Sequence, residues 1–219
     1  MALLPLAVLA LLWGLVGGCE KNTWKPKEAD RRQITVAGDK MTIHTGAVGT
    51  GKWEKDATYV LVDASNPSEK ALSVTLGGQF LDQASKVVAP IARQSLRIPA
   101  KGTRTFALVA DGSTGDIGAT GATIEVTSAV QLDYEEQMTI TDVHEYEDQG
   151  RIVVKGYVNN TVERIGRVVV YATFYDGAGR PMQRPSTLFR LERRARRGVQ
   201  FVGPEGSVKA TLSVGDIVY

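Results

Sequence analysis

The sequence predicts an all-β fold made of two antiparallel β-sandwiches in series. Apolar and polar residues alternate along short runs, as in 208–214, where every second side chain is apolar, and this alternation is typical of strands with one buried face. Gly, Asp, Asn and Pro cluster between these runs and mark turns. No long amphipathic helix is evident after residue 20. Together these observations favour sheets over helices.

The strands of the first half follow from this alternation. Val74, Leu76 and Phe80 alternate with polar residues and define one apolar face. Because a sheet with one apolar face needs a second sheet to cover it, we expect a sandwich rather than an open sheet. The strands are predicted at 34–37, 41–45, 57–64, 71–81, 87–98, 103–110 and 122–130.

The second half has the same character. Ile152, Val154 and Val158 alternate with Lys155 and Tyr157. Short connections between the runs predict antiparallel pairing. The strands are predicted at 138–146, 151–158, 167–175, 186–193, 198–202 and 207–214.

The two halves align as an internal repeat. When Asn66 is placed on Asn160, an offset of 94 residues, Asp82 falls on Asp176. Such a period matches one β-sandwich of about 100 residues. Upstream, 33–36 resembles 137–140 at an offset of 104, so the second copy would lack about ten residues near 46–52. Downstream, one further residue of offset places Leu96 on Leu191 and Phe106 on Phe201.

The chain begins with an apolar leader that ends at its only cysteine. Residues 1–18 carry no charged side chain, and the leader closes as LVGGC at 15–19, which is typical of a secretory signal. This run resembles the lipobox of bacterial lipoproteins, whose leader is removed before an acylated cysteine. The resemblance implies lipidation of Cys19, and Glu20 after it implies the outer membrane, facing the periplasm. A transmembrane helix and a free thiol are the alternatives.

These patterns divide the chain into four parts. Residues 1–18 are the predicted lipoprotein signal peptide, and 19–33 are the lipidated N-terminus and a flexible tether. Residues 34–130 form the first predicted sandwich and 131–219 the second.

Motifs in both halves resemble one family. The second half carries GYVNN at 156–160 and FYDG at 174–177, and the first carries NPS at 66–68 and FLD at 80–82. These motifs resemble the FxLYD-type immunoglobulin-like domains of bacterial envelope proteins. The resemblance implies two consecutive immunoglobulin-like sandwiches that bind or space other components without catalysis.

Composition and motifs argue against an enzyme. The net charge of +2 provides no field that would attract nucleic acid. Segment 46–52 has the spacing of a phosphate-binding loop, but Trp53 replaces the Ser or Thr that would hold magnesium. Segment 111–115, DGSTG, lacks the first glycine of a nucleophile elbow. We therefore expect no catalytic residue, no cofactor and no nucleotide.

A short acidic segment contains one of the two histidines. On a strand, Asp142 and His144 would share a face, so a weak metal site or a metal-assisted hydrolase is one hypothesis. A charged edge that opposes aggregation between sheets is the favoured interpretation, and no metal site is predicted. The segment contains Asp142, His144, Glu145, Glu147 and Asp148.

An arginine-rich hairpin is the main candidate binding surface. Guanidinium groups bind carboxylates and phosphates with two parallel hydrogen bonds. One hypothesis is that these arginines bind a partner or an anion. The alternatives are a charged hairpin that keeps a sheet edge soluble, and neutralisation of the arginines by the acidic segment 133–148. They are Arg180, Arg184, Arg190, Arg193, Arg194, Arg196 and Arg197.

The sequence therefore predicts a non-catalytic envelope lipoprotein that acts as a structural or protein-interaction module, through sheet edges and this hairpin. The alternative is an anion-binding module for lipid phosphate, lipopolysaccharide or an acidic cell-wall polymer. The expected partners are the membrane, through the lipid anchor, and an unidentified envelope protein or anionic polymer.

Overall fold

The computed structural model describes residues 27–49 and 54–218. The predicted leader, Cys19, residues 50–52 of the glycine-rich segment and Trp53 lie outside the described residues. Within the described ranges the chain forms antiparallel strands and two 3₁₀ turns, Arg31–Gln33 and Gly38–Lys40, without an α-helix. No helix in this part of the chain is long and apolar enough to span a membrane. The predicted all-β class is confirmed.

The strands are β1 (Thr35–Val36), β2 (Thr42–Val48), β3 (Lys55–Ser65), β4 (Leu72–Leu81), β5 (Val87–Ile98), β6 (Thr103–Val109), β7 (Gly121–Gln131), β8 (Met138–Asp148), β9 (Arg151–Asn160), β10 (Gly166–Tyr175), β11 (Pro181–Gln183), β12 (Ser186–Leu191), β13 (Arg196–Val202) and β14 (Lys209–Val218). Each predicted strand overlaps one of them. Strand β11 was not predicted, because it begins at Pro181 and is followed by Pro185, and proline lacks the N–H that continues a ladder.

The first half contains two sheets that enclose one core. Strand β3 lies between β6 on one side and β1 and β2 on the other, while β4 lies between β5 and β7. The apolar face of each sheet is turned toward the other, with Val62, Phe80 and Phe106 fully buried between them. Burying aromatic and aliphatic side chains in this way is the main stabilising contribution to such a sandwich.

The second half repeats this arrangement. Strand β9 lies between β8 and β13, and β10 lies between β14 and the pair β11 and β12. Val154, Val170 and Phe174 are fully buried between the two sheets. Among the described residues, no core cluster draws on both halves. The predicted boundary at 130/131 stays a prediction.

A buried asparagine holds the chain crossings between sheets in each half. The Asn66 side-chain amide donates to the carbonyls of Lys70 (2.8 Å), Ile98 (3.3 Å) and Pro99 (3.0 Å), and its oxygen accepts from Ser68 N–H (3.1 Å). It thereby ties the β3–β4 crossing to the β5–β6 crossing.

Asn160 makes three equivalent bonds. Its amide donates to the carbonyls of Arg164 (2.7 Å) and Glu192 (2.9 Å), and its oxygen accepts from Val162 N–H (3.2 Å). Arg164 and Val162 lie at the same separations from Asn160 as Lys70 and Ser68 do from Asn66, and Glu192 corresponds to Pro99 in the pairing register. The predicted pairing of the two asparagines therefore has a shared structural role.

The turns after β4 and β10 also match. Asp82 accepts the backbone N–H groups of Ala84 and Lys86, both at 2.9 Å. Asp176 accepts those of Ala178 and Arg180, again at 2.9 Å. Short Asp side chains favour such turns because they can bond to the backbone two residues further on.

The pairing registers correct one part of the predicted alignment. Thr35 pairs with Ser65 as Thr139 pairs with Asn159, which agrees with the predicted offset of 104 upstream. Downstream, the prediction of Leu96 on Leu191 and Phe106 on Phe201 is wrong, because the offset falls by one residue instead of rising. A β-bulge opposite Leu76 and Gly78 adds that residue to β5. By register, Leu96 corresponds to Phe189, Ile98 to Leu191, and Leu108 to Phe201.

We predict that Asn160→Ala lowers the free energy of unfolding by about 2–3 kcal/mol, because it leaves buried carbonyls without a donor. Urea denaturation followed by circular dichroism measures the change. The matched control is Asn159→Ala, since Asn159 bonds only on the exposed face and its loss should cost less than about 0.5 kcal/mol. Equal effects of the two substitutions would contradict the assigned role.

Candidate functional site

The arginine-rich segment is an arch between sheets and not a hairpin of paired strands. Strand β12 pairs with β10, and β13 pairs with β9. The predicted hairpin is therefore wrong: the chain leaves one sheet at Leu191 and enters the other at Arg196. The side chains along this arch consequently point to different surfaces.

Four of the seven arginines already face a carboxylate. Each forms an ion pair on the surface. In one of these pairs the Arg196 guanidinium donates to Asp142 of the acidic segment. Exposed ion pairs contribute little to stability, but each one occupies a guanidinium that an external anion would need. The other pairs are Arg180 with Asp176 (2.8 Å), Arg190 with Glu192 (3.1 Å) and Arg194 with Glu163 (2.8 Å).

The remaining three arginines lie apart from one another. Arg184 stacks on Tyr171 at 3.7 Å, and Arg197 covers the Phe189 ring at 4.6 Å at the open side of the core. Arg193 is exposed and has no ion pair with the described residues. The structure thus spreads the seven arginines over several surfaces and does not bring them into one pocket.

The acidic segment is committed to other contacts. Asp142 holds Arg196, and the Glu145 carboxylate accepts the Ala210 N–H of the neighbouring edge strand β14. Across residues 27–49 and 54–218, no group of three or more His, Cys, Asp or Glu side chains could hold a metal ion. The arrangement at Asp142 and His144 therefore gives the metal hypothesis no support.

The outer face of the β8–β9–β13 sheet contains a groove of about 430 Å³. Tyr157 pairs with Gly198, and Lys155 pairs with both His144 and Gln200. Directly paired residues share a face, so these side chains stand together on the solvent side. The groove is lined by Asp142, His144, Lys155, Gly156, Tyr157, Gly198, Val199 and Gln200.

Aromatic rings and cations are arranged in pairs on this face. Arg196 lies 3.7 Å from the centre of the Tyr157 ring, and Lys155 lies 5.3 Å from that of Tyr146. Both tyrosines are exposed, Tyr157 by 43%. Tyrosine and arginine are the residue types that contribute most to protein interfaces. The alternation in the sequence put Lys155 and Tyr157 on the solvent side, but only the pairing register reveals their neighbours.

The corresponding face of the first half is covered by the second half. Leu61 is fully buried although it lies outside the core cluster of its own sandwich. Thr105 donates to Asp63 (2.6 Å), and the Tyr175 hydroxyl lies 3.0 Å from Thr105 and 3.3 Å from Asp63. Thr42 donates to the Pro181 carbonyl. The turn between β10 and β11 therefore docks on the outer face of β2, β3 and β6.

Burial at this junction shifts the pKa values of Tyr175 and His44. Burial raises the pKa of Tyr175, and the nearby Asp63 carboxylate raises it further, so the phenol stays protonated. Burial lowers the pKa of His44, and hydrogen bonding to the Pro181 carbonyl opposes this only in part. His44 Nε2 lies 2.8 Å from Thr42 Oγ1, and its ring stacks on Tyr59.

The groove of the second half is equivalent, by strand pairing, to the surface of the first half on which the β10–β11 turn docks. Thr42 pairs with Leu61 as His144 pairs with Lys155. Thr105 pairs with Asp63 as Gly198 pairs with Tyr157. With Asn66 matched to Asn160, Thr42 corresponds to His144, Leu61 to Lys155, Asp63 to Tyr157 and Thr105 to Gly198. Among the residues that the structure describes, the same surface is thus occupied in one half and open in the other.

No protein-family model matches the chain, and no curated protein matches its sequence. Among solved structures, the chain is similar to a DUF1425 family member from Shewanella sp. pv-4, with 17% sequence identity and a TM-score of 0.33. That similarity covers 35% of this chain and 75% of the other. The resemblance to FxLYD-type domains stays a prediction.

We predict that the stability of the protein falls as the pH decreases from about 6.5, the ordinary pKa of histidine. The His44 pKa is lower in the folded than in the unfolded chain, so the unfolded state binds the proton first and gains stability from it. The free energy of unfolding continues to fall until the pH drops below the pKa of His44 in the folded state. Urea denaturation over about pH 5–8 measures it.

In that series His44→Gln should flatten the pH dependence. His144→Gln, which changes the histidine in the open groove, is the control and should leave the dependence of the wild-type protein in place. An unchanged slope in His44→Gln would show that His44 is not its source.

Proposed function

We propose that the chain is a non-catalytic, lipid-anchored envelope protein that binds another protein through the groove of the β8–β9–β13 sheet. The single observation that carries this proposal is the correspondence between the groove and the buried junction of the first half. Thr42, Leu61, Asp63 and Thr105 already receive a β-turn. Their open counterparts provide the same sheet geometry to a partner.

The side chains of the groove suit a protein partner. Tyr157 in the groove and Tyr146 beside it on the same face supply rigid aromatic area, and each ring has a cation against it. Gly198 stands where the first half has Thr105 and leaves space beside Tyr157, whose ring comes within 3.6 Å of the position that a Cβ would take. A turn that enters this space would bury both rings and contact Lys155.

Two observations favour this function over anion binding through the arginines. Four of those arginines face carboxylates of the same chain, so an external anion would have to displace an existing partner. The other three point to different surfaces, and two of these stack on aromatic rings. The arginine arch therefore contributes to the groove mainly through Arg196.

The proposed absence of catalysis rests on the character of the groove. Asp142 is held by Arg196 and His144 stands across from Lys155, so no acid–base pair or nucleophile with an adjacent base is formed there. The proposed anchor rests on the lipobox-like run that ends at Cys19. Stable anchoring of this kind requires more than one acyl chain.

The interaction can be tested by photo-crosslinking in intact cells. A photoreactive phenylalanine analogue at Tyr157 should give one dominant adduct, because this ring lines the groove. The matched control is the same analogue at Leu188, which is also exposed but lies on β12 in the opposite sheet. Adduct formation at both positions alike, or at neither, would exclude the groove as the binding surface.

The side chains can be tested in the same cells. With the analogue at Gln200, which also lines the groove, Tyr146→Ala should reduce adduct formation, because truncation of an interface tyrosine commonly costs about 1–2 kcal/mol, roughly tenfold in affinity. Tyr134→Ala, an exposed tyrosine outside the groove, should leave it unchanged. A loss in Tyr134→Ala alone would place the interaction elsewhere.

The lipid anchor is tested separately with Cys19→Ser. We expect this variant to lose incorporation of labelled fatty acid and to leave the membrane fraction, because it removes the only thiol in the chain. Cell fractionation and metabolic labelling measure both effects. Membrane association that persists in Cys19→Ser would indicate an uncleaved leader helix instead.

A further inference from the structure

We propose that the partner in the groove is a second copy of this chain, which inserts the turn between its β4 and β5. This inference rests on the proposed function of the groove and names its occupant. The turn that docks inside the molecule has a counterpart in the first half, and no other described part of the chain docks on that counterpart.

The β4–β5 turn is built like the turn that docks. Asp82 and Asp176 accept the same pair of backbone N–H groups, and the following positions carry Ala84 and Ala178, then Lys86 and Arg180. Ser85 has φ of 60° and Gly179 has φ of 72°, so both turns pass through the left-handed region at the same position. The two turns therefore present similar shape and charge.

The free turn carries exposed apolar side chains. Leu81 pairs with Val87 as Tyr175 pairs with Pro181, so Val87 and Val88 correspond to Pro181 and Met182. Pro181 is buried at the junction, whereas Val87 is 46% exposed and Val88 is 38% exposed. Adjacent exposed valines at the end of a strand gain free energy from burial against a partner.

The β4–β5 turn, and not the β10–β11 turn, is available to enter the groove of a second copy. The β10–β11 turn of every copy is occupied by its own first half, through Tyr175 and Pro181. Within residues 27–49 and 54–218, the β4–β5 turn and the groove are therefore the two members of this pair of surfaces that make no such contact. By the same correspondence, Val87 would lie beside His144 as Pro181 lies beside Thr42. Leu81 would lie beside Tyr157 and Gly198 as Tyr175 lies beside Asp63 and Thr105.

The geometry of such a contact is head to tail. The turn and the groove are different surfaces on opposite halves, so each copy can bind one neighbour at each end. Contacts of this kind form open chains or closed rings rather than a symmetric dimer. A series of oligomers is expected, not one dimeric species.

The test uses the full chain in cells, with the photoreactive phenylalanine analogue at Tyr157 and two differently tagged copies. We expect crosslinks between the tags, a ladder of species larger than a dimer, and a crosslinked peptide that contains residues 82–88. Val87→Asp combined with Val88→Asp should reduce the ladder at least about tenfold, because it places charge in an apolar contact. The control is Val208→Asp, which changes an even more exposed valine in the loop before β14.

Folding of each variant is checked by its urea midpoint in purified form, and Lys155→Glu on the groove is the second variant in case the double substitution unfolds. Lys155→Glu should weaken the ladder and Lys101→Glu should not. An adduct to a different protein, with no crosslink between the tags, overturns the self-association and leaves the proposed function standing. No adduct of any kind at Tyr157 overturns both, and a crosslinked peptide outside 82–88 overturns the docking of this turn.

Discussion

The buried amides of Asn66 and Asn160 fix the places where the chain crosses between sheets, and the surfaces of the protein depend on them. A sandwich leaves backbone carbonyls without partners wherever the chain leaves one sheet for the other, and buried carbonyls without donors are costly. One asparagine side chain supplies donors to two crossings at once in each half. The ends of β5 and β6, and of β12 and β13, are therefore held at a set distance from β3 and β9.

This constraint decides where the functional side chains stand. The arch after β12 is held through the Glu192 carbonyl, and the register of β13 on β9 then places Gly198 beside Tyr157 and Gln200 beside Lys155. A slip of one residue would exchange the two faces of β13 and bring Val199 to the solvent side. The groove thus exists because a polar bond inside the sandwich sets the register of an exposed strand.

Much of the fold follows from the sequence. Period-two alternation gives every strand except β11, and the match of Asn66 with Asn160 and of Asp82 with Asp176 identifies residues that have equivalent hydrogen bonds. The error in the downstream alignment arose because a β-bulge adds a residue without changing the apolar pattern around it. Nothing in residues 89–96 indicates whether the offset between the two halves rises or falls by one residue at this point.

The candidate site was harder to predict. Seven arginines close in sequence suggested one cationic surface, but the arch sends them to different sides and four find carboxylates that lie up to 54 residues away in the chain. The groove combines residues of β8, β9 and β13. It is recognised as a candidate binding surface only by comparison with the junction of the first half, where Leu61 is buried. Both depend on contacts between segments distant in sequence, which local patterns do not specify.

The differences between the two equivalent faces explain how one can make a permanent contact within the chain and the other a reversible contact with another molecule. In the first half the docking turn belongs to the same chain, so its effective concentration is high and modest contacts at Leu61, Asp63 and Thr105 suffice. A turn from another molecule lacks this advantage and must gain more from each side chain. The replacement of Leu61 by Lys155 and of Asp63 by Tyr157 supplies an aromatic ring and a cation at the same positions, which are the side chains that provide affinity at small contacts. With Cys19 lipidated, as proposed, confinement to one membrane surface would raise the local concentration of the turns and favour the same contact.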